Sequence, residues 1–265
     1  MRIFIVIGLM ATTVAFQNCA QTNFSAGSDD GSSTGQGGNG YSPGSGDLLA
    51  ICNKTSFETV TKKLKILLVV DNSGSVLQTD PQSFRQASIQ NLITKYAGKA
   101  NFSWQIVLFN GTTARALINK NGNVNDPVFS NAAAAQQALE VFKSEVGVGN
   151  TPYLSAISMA EQAIRSDADL TATDALYVTM FMSDGQPTDA QDRDILAAEK
   201  AMLDRAPSRI TFNSLYFGKD NSTQAINRLK SMSDLGKGLF TNITTDKVVV
   251  NIDDISVVPG SGCIK

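Results

Sequence analysis

Apolar and polar positions alternate along this chain in two rhythms. Short, nearly unbroken apolar runs are followed by longer stretches with apolar residues every three or four positions. The run Lys65 to Val70 (KILLVV) is too short and too uniform for an amphipathic helix, and reads as a strand buried on both faces. Phe102 to Phe109, Leu176 to Met182, Ile210 to Phe217 and Leu239 to Ile243 repeat the pattern. Between them the spacing predicts helices over Pro81 to Ala97, Asn131 to Val146, Tyr153 to Arg165, Asp189 to Arg205 and Thr223 to Leu235. On the first of these, Phe84, Ser88, Ile89, Leu92, Ile93 and Tyr96 share a face, with Asp80 as cap and Pro81 in the first turn. Asn110-Gly111 signals a hairpin leading into a short strand, Ala114 to Ile118. Trp104 lies in a strand and is expected in the core, and Asp189 is expected to cap its own helix. The segment Asp246 to Val258 suits a helix or a β extension.

Strands that alternate with helices imply an α/β fold: about six strands, mostly parallel with one antiparallel edge, joined by right-handed crossovers with helices on both faces. Ligand sites in such sheets sit past the carboxyl ends of the strands. There the first run ends in Asp71, Ser73 and Ser75, and the run Leu176 to Met182 ends in Ser183-Asp184-Gly185. Thr151 opens the helix that lies between them in sequence. Carboxylate and hydroxyl oxygens, with no His or Cys among them, select a hard divalent cation.

Asp-x-Ser-Gly-Ser at Asp71 to Ser75, a distant threonine and then Ser-Asp-Gly resemble the metal-ion-dependent adhesion site of von Willebrand factor type A domains. The resemblance runs from about Leu64 to the C-terminus and implies the Rossmann-like version of the fold above. It implies Mg²⁺ (or Mn²⁺) held directly by Ser73 and Ser75, by Thr151 directly or through water, and by Asp71 and Asp184 mainly through water. A cation in a shell of neutral hydroxyls remains electrophilic, so the implied partner is a protein that presents an Asp or Glu. The pattern departs from the family at Pro152, where the threonine loop is usually richer in Gly and Thr. An alternative reading makes the chain a structural subunit of an envelope assembly, with the metal site fixing a permanent contact.

Composition narrows the classes further. Across 265 residues there is no histidine, which removes Ser-His-Asp and Cys-His catalysis and His-based zinc sites. A metal-dependent phosphohydrolase with Asp71 as nucleophile usually needs a second acid two residues on, where Ser73 stands, so the expectation is a non-enzyme. A net charge of −2 and a pI of about 5.2, without a basic cluster, argue against nucleic acid.

Residues 1–19 read as an export signal: Arg2, an apolar run too short to span a bilayer comfortably, then Cys19. The arrangement resembles the lipobox of bacterial lipoproteins, although Gln17 and Asn18 stand where small residues are usual. It implies a lipid on Cys19 and attachment to the outer membrane or cell surface; a plain secretory signal and an uncleaved anchor are the alternatives. All three place the remainder outside the cytoplasm. Residues 20–47, rich in Gly, Ser, Asn and Asp, form a flexible tether with a reach of roughly 30 Å. Residues 48–265 form the folded domain. In the type A arrangement the chain enters and leaves on the same edge, which implies a disulfide between Cys52 and Cys263. Its loop of about 210 residues would contribute roughly 5 kcal/mol on the chain-entropy model.

Overall fold

The computed structural model describes residues 62–80, 83–218 and 222–243. Cys19, the tether, Cys52, Cys263, Pro81 and the segment 246–258 lie outside the described residues.

Among the described residues there are eight strands: β1 (Lys63–Asp71), β2 (Phe102–Asn110), β3 (Thr113–Ala116), β4 (Asn119–Lys120), β5 (Asn123–Pro127), β6 (Ala175–Ser183), β7 (Ile210–Tyr216) and β8 (Lys237–Asn242). The helices are α1 (Val76–Thr79), α2 (Phe84–Tyr96), α3 (Ala132–Ser144), α4 (Tyr153–Arg165), α5 (Asp192–Leu203) and α6 (Thr223–Leu235). Six strands form one sheet in the order β3-β2-β1-β6-β7-β8. Its pairings are parallel except β2 with β3, the hairpin foreseen at Asn110-Gly111, where Gly111 takes a φ of +58°. This is the expected α/β architecture, with one addition. The strands β4 and β5 form a separate antiparallel pair across Asn121-Gly122, both at positive φ.

β1 and β6 run side by side through the centre, and all nine residues of β6 are buried. Alternate β1 side chains point to opposite faces. Ile66, Leu68 and Val70 pack with α2 and α3, whereas Leu67 and Val69 pack with α4, α5 and α6. On the second face Phe109, Phe181 and Phe212 stack across three strands, with Tyr153 of α4 edge-on to the first two. Trp104 is fully buried, as expected.

Two helix expectations need correction. Phe84 is largely exposed; Arg85 takes the buried position instead. The Arg85 guanidinium lies over the rings of Phe142 and Phe217 and pairs with Asp80 at 2.7 Å. Asp80 does cap α2, accepting from the backbone N–H of Phe84 at 2.6 Å and of Arg85 at 3.2 Å. Asp189 does not cap its own helix. Its carboxylate accepts from the N–H groups of Leu154 and Ser155 at 3.0 and 3.3 Å, so it caps α4 across 35 positions, while Gln191 takes the N-cap position of α5 and makes no side-chain cap.

Candidate metal centre

Asp71 is the last residue of β1 and is fully buried. Its Oδ1 accepts from the Ser73 N–H at 2.8 Å, which folds the chain into a tight turn as it leaves the sheet. Its Oδ2 accepts from the Ser183 hydroxyl at 2.5 Å, tying it to the end of the neighbouring β6. Asp184 follows immediately. The adjacency of β1 and β6 thus brings two carboxylates to one sheet edge from positions 113 apart in sequence.

Hydroxyls link them. Ser73 Oγ and Ser75 Oγ lie 3.1 Å apart, and Ser75 Oγ donates to Asp184 Oδ1 at 3.0 Å. The other oxygen of Asp184 accepts from Thr79 in α1, whose hydroxyl also reaches the Ser75 carbonyl. Thr151 completes the set. A methyl placed on Gly185 would stand 3.8 Å from Thr151 Oγ1 and 3.9 Å from Ser75 Oγ, so both hydroxyls border the same spot. The Thr151 backbone is held by Thr188, whose hydroxyl accepts from the Thr151 N–H at 3.1 Å and whose own N–H donates to the Thr151 carbonyl at 3.0 Å. All five sequence-derived residues are therefore brought together.

Glycines let the loops approach. The Gly74 N–H donates to the Gly149 carbonyl at 3.0 Å, and the Val148 N–H to the Asn72 carbonyl at 3.1 Å. A Cβ on Gly147 would lie 2.3 Å from Val76 Cγ2 and 2.6 Å from the Ser73 carbonyl oxygen, so only glycine lets the threonine loop rest on the serine loop.

The electrostatics are one-sided. Burial, and next the charge of Asp184, push the Asp71 carboxyl up to about 6, against hydrogen bonds from Ser183 and Ser73 that pull it down. Arg85 approaches, but its guanidinium donates to the Asp71 main-chain carbonyl and to Asp80, not to either carboxylate of the site. Among the described residues no three His, Cys, Asp or Glu side chains gather as a metal cluster. The donor set is two acids and three hydroxyls, which suits a hard cation bound partly through water. Reading the residues alone missed two contributors. Ser183 stands inside the motif beside Asp184, and Thr79 lies one helical turn beyond Ser75; that i, i+4 spacing is the signal that could have found it.

No protein-family model and no curated protein matches the chain. Solved structures do. The manganese-loaded TRAP protein of Plasmodium vivax superposes with a TM-score of 0.52 at 14% identity, over 73% of this chain and 74% of that one. The pilus adhesin SpaC from Lactobacillus rhamnosus GG, in its open conformation, gives 0.52 at 15% identity over 73% of this chain. The chain spans only 29% of the SpaC chain's length. The vWF domain of the type V pili tip protein Mfa5 from Porphyromonas gingivalis gives 0.50 at 12% identity, over 77% of this chain and 98% of that one. Identities this low speak for the fold alone. Six strands in this order, with one antiparallel edge and helices on both faces, give the chain the Rossmann-like fold of a von Willebrand factor type A domain.

Proposed function

We propose that this chain is a divalent-cation-dependent protein-binding module, exported and tethered to the cell envelope through Cys19. One observation carries the reading. Two carboxylates, Asp71 and Asp184, are held at the sheet edge among Ser73, Ser75 and Thr151, with no cationic side chain among the described residues in an ion pair with either acid. Mg²⁺ or Mn²⁺ fits that donor set, and when bound supplies a Lewis-acidic point that takes one more anionic oxygen. The residues of the chain do the rest. Ser73, Ser75 and Thr151 present neutral oxygens, so the ion's charge is incompletely balanced. Asp71 and Asp184 hold the serine loop, through the Ser73 N–H and the Ser75 hydroxyl, and would orient the waters of a bound ion. An Asp or Glu of a partner protein would complete the coordination, and the chain itself would perform no chemistry.

SpaC is a pilus adhesin, Mfa5 a pilus tip protein and the TRAP structure manganese-loaded, all of which is consistent with this reading. No helix among the described residues is long and apolar enough to cross a membrane. Calorimetric titration of the purified chain with Mg²⁺ and Mn²⁺ tests the site: uptake of one ion is expected, with none in Asp71→Ala. Capture of an envelope or target-cell protein in Mg²⁺ and its release by chelator tests the function. Capture that persists in excess chelator sinks it.

A further inference from the structure

Tyr153 opens α4, two residues past Thr151, and is fully buried. Its ring stands edge-on to Phe109 at 5.9 Å and to Phe181 at 4.8 Å between centroids, which fixes where the hydroxyl can reach. A phenylalanine would fill that aromatic slot as well, and a buried hydroxyl costs free energy unless it is hydrogen-bonded. The Tyr153 hydroxyl donates to the main-chain carbonyl of Gly185 at 3.2 Å, and the Ser183 hydroxyl lies beside it. Its neighbours therefore stand on either side of Asp184. Gly185 has no side chain to hold it, and glycine is the residue with the freest backbone. Two hydroxyls take that freedom away. The Gly185 N–H donates to Ser183 Oγ at 3.2 Å, which holds the peptide plane joining Asp184 to Gly185, and Tyr153 holds the plane after it.

We infer that Tyr153 is a positioning residue of the metal centre: its hydroxyl locks the Gly185 peptide and, through it, the placement of the Asp184 carboxylate against Ser75 and Thr151. The inference rests on the metal-dependent reading above and adds a buried residue outside the donor set. Because Tyr153 and Thr151 share the start of α4, the bond also ties the threonine loop to the loop after β6, alongside the two bonds between Thr151 and Thr188. The serine loop is joined to Asp184 by the Ser75 hydroxyl. Three loops thus share one geometry, and a site held in that geometry binds an ion more tightly than one that must be ordered on binding.

Calorimetric titration with Mg²⁺ of the full chain, of Tyr153→Phe and of Tyr177→Phe tests this. Tyr177 is the control: its hydroxyl donates to Asp167 Oδ2 at 2.9 Å near the start of β6, so its removal costs a hydrogen bond at the end of the strand away from the site. Tyr153→Phe is expected to weaken Mg²⁺ binding roughly tenfold, with a denaturant midpoint in excess chelator shifted no further than that of Tyr177→Phe. Tyr177→Phe is expected to keep the wild-type affinity for Mg²⁺. Should Tyr153→Phe fail to fold, p-aminophenylalanine and p-methylphenylalanine at position 153 take its place, since both keep the size of tyrosine. The amino group, a donor, is expected to retain near-wild-type affinity and the methyl group to lose it. Wild-type affinity in Tyr153→Phe, equal losses of affinity in the two tyrosine variants, or amino and methyl forms that bind alike overturn the inference and leave the metal reading standing. Absence of Mg²⁺ and Mn²⁺ uptake by the wild-type chain overturns the inference together with the reading beneath it.

Discussion

At the start of β1, Lys63 and Lys65 meet Asp167 and Asp169; at its end, Asp71 meets Asp184 across a line of hydroxyls. Both clusters gather acids at an edge of the same sheet. Lys65, itself nearly buried, bridges Asp167 at 3.1 Å and Asp169 at 2.7 Å. Hydrogen bonds from Lys63 and then Lys65 hold the Asp169 carboxyl below the usual carboxylate range. Asp71 is displaced the other way, by burial and then by Asp184. The fold therefore neutralises one acidic cluster with its own cations and leaves the other to hydroxyls. That difference separates a structural contact from a site that accepts an ion from outside. Glu199 of α5 makes a third case. It is fully buried, neither carboxylate oxygen has a hydrogen-bond partner among the described residues, and burial pushes its carboxyl up to about 9.

Removing the cation from the first cluster should do the most damage. Lys65→Met leaves Asp167 without its cation and Asp169 with Lys63 alone, and a loss of roughly 3 kcal/mol is expected in denaturant unfolding, equal with and without Mg²⁺. A stability change that depended on Mg²⁺ would erase the distinction between the two ends. Supplying a cation to the second cluster comes next. At a hundredfold excess over its dissociation constant, Mg²⁺ or Mn²⁺ should stabilise the domain by about 2.7 kcal/mol, and Asp184→Ala should show no such gain.

Glu199→Gln is expected to stabilise by roughly 2 kcal/mol at neutral pH. Between about 4.5 and 9 the unfolded chain has released this proton and the folded chain keeps it, so wild-type stability falls with rising pH across that window. The advantage of the variant should vanish near pH 4 and level off above pH 9; a gap independent of pH contradicts the assignment. The smallest effect is the most diagnostic. Asp71→Asn relieves like-charge repulsion in the metal-free domain and should stabilise it by about 1 kcal/mol at neutral pH, while removing the stabilisation by Mg²⁺.

The strands were legible because buried parallel strands read as unbroken apolar runs, and Asp71, Asp184 and Thr151 because each interrupts such a pattern at a strand or helix end. β4 and β5 carry almost no apolar residues, so periodicity was silent there, although Asn121-Gly122 repeats the turn signal read at Asn110-Gly111. Asp189 was misassigned because local spacing favours its own helix, whereas the loop after β6 carries it to α4. Phe84 and Arg85 exchanged roles because the arginine finds Asp80 and two aromatic rings below the surface, a tertiary reward that a hydrophobic pattern does not contain. The Lys65 ion pairs joined residues about a hundred positions apart and left no local trace.

From Leu64 to Val70 every residue of β1 is matched in register to β2 on one side and to β6 on the other. Point changes among those aliphatic residues leave the alignment intact, which is compatible with folds that agree at 12 to 15% identity. Inserting or deleting a single residue there would slide Asp71 by about 3.3 Å and swap every side chain to the opposite face. The spacing along this strand is thus under a stricter constraint than its spelling, and homologues should vary freely in letters here while keeping the count.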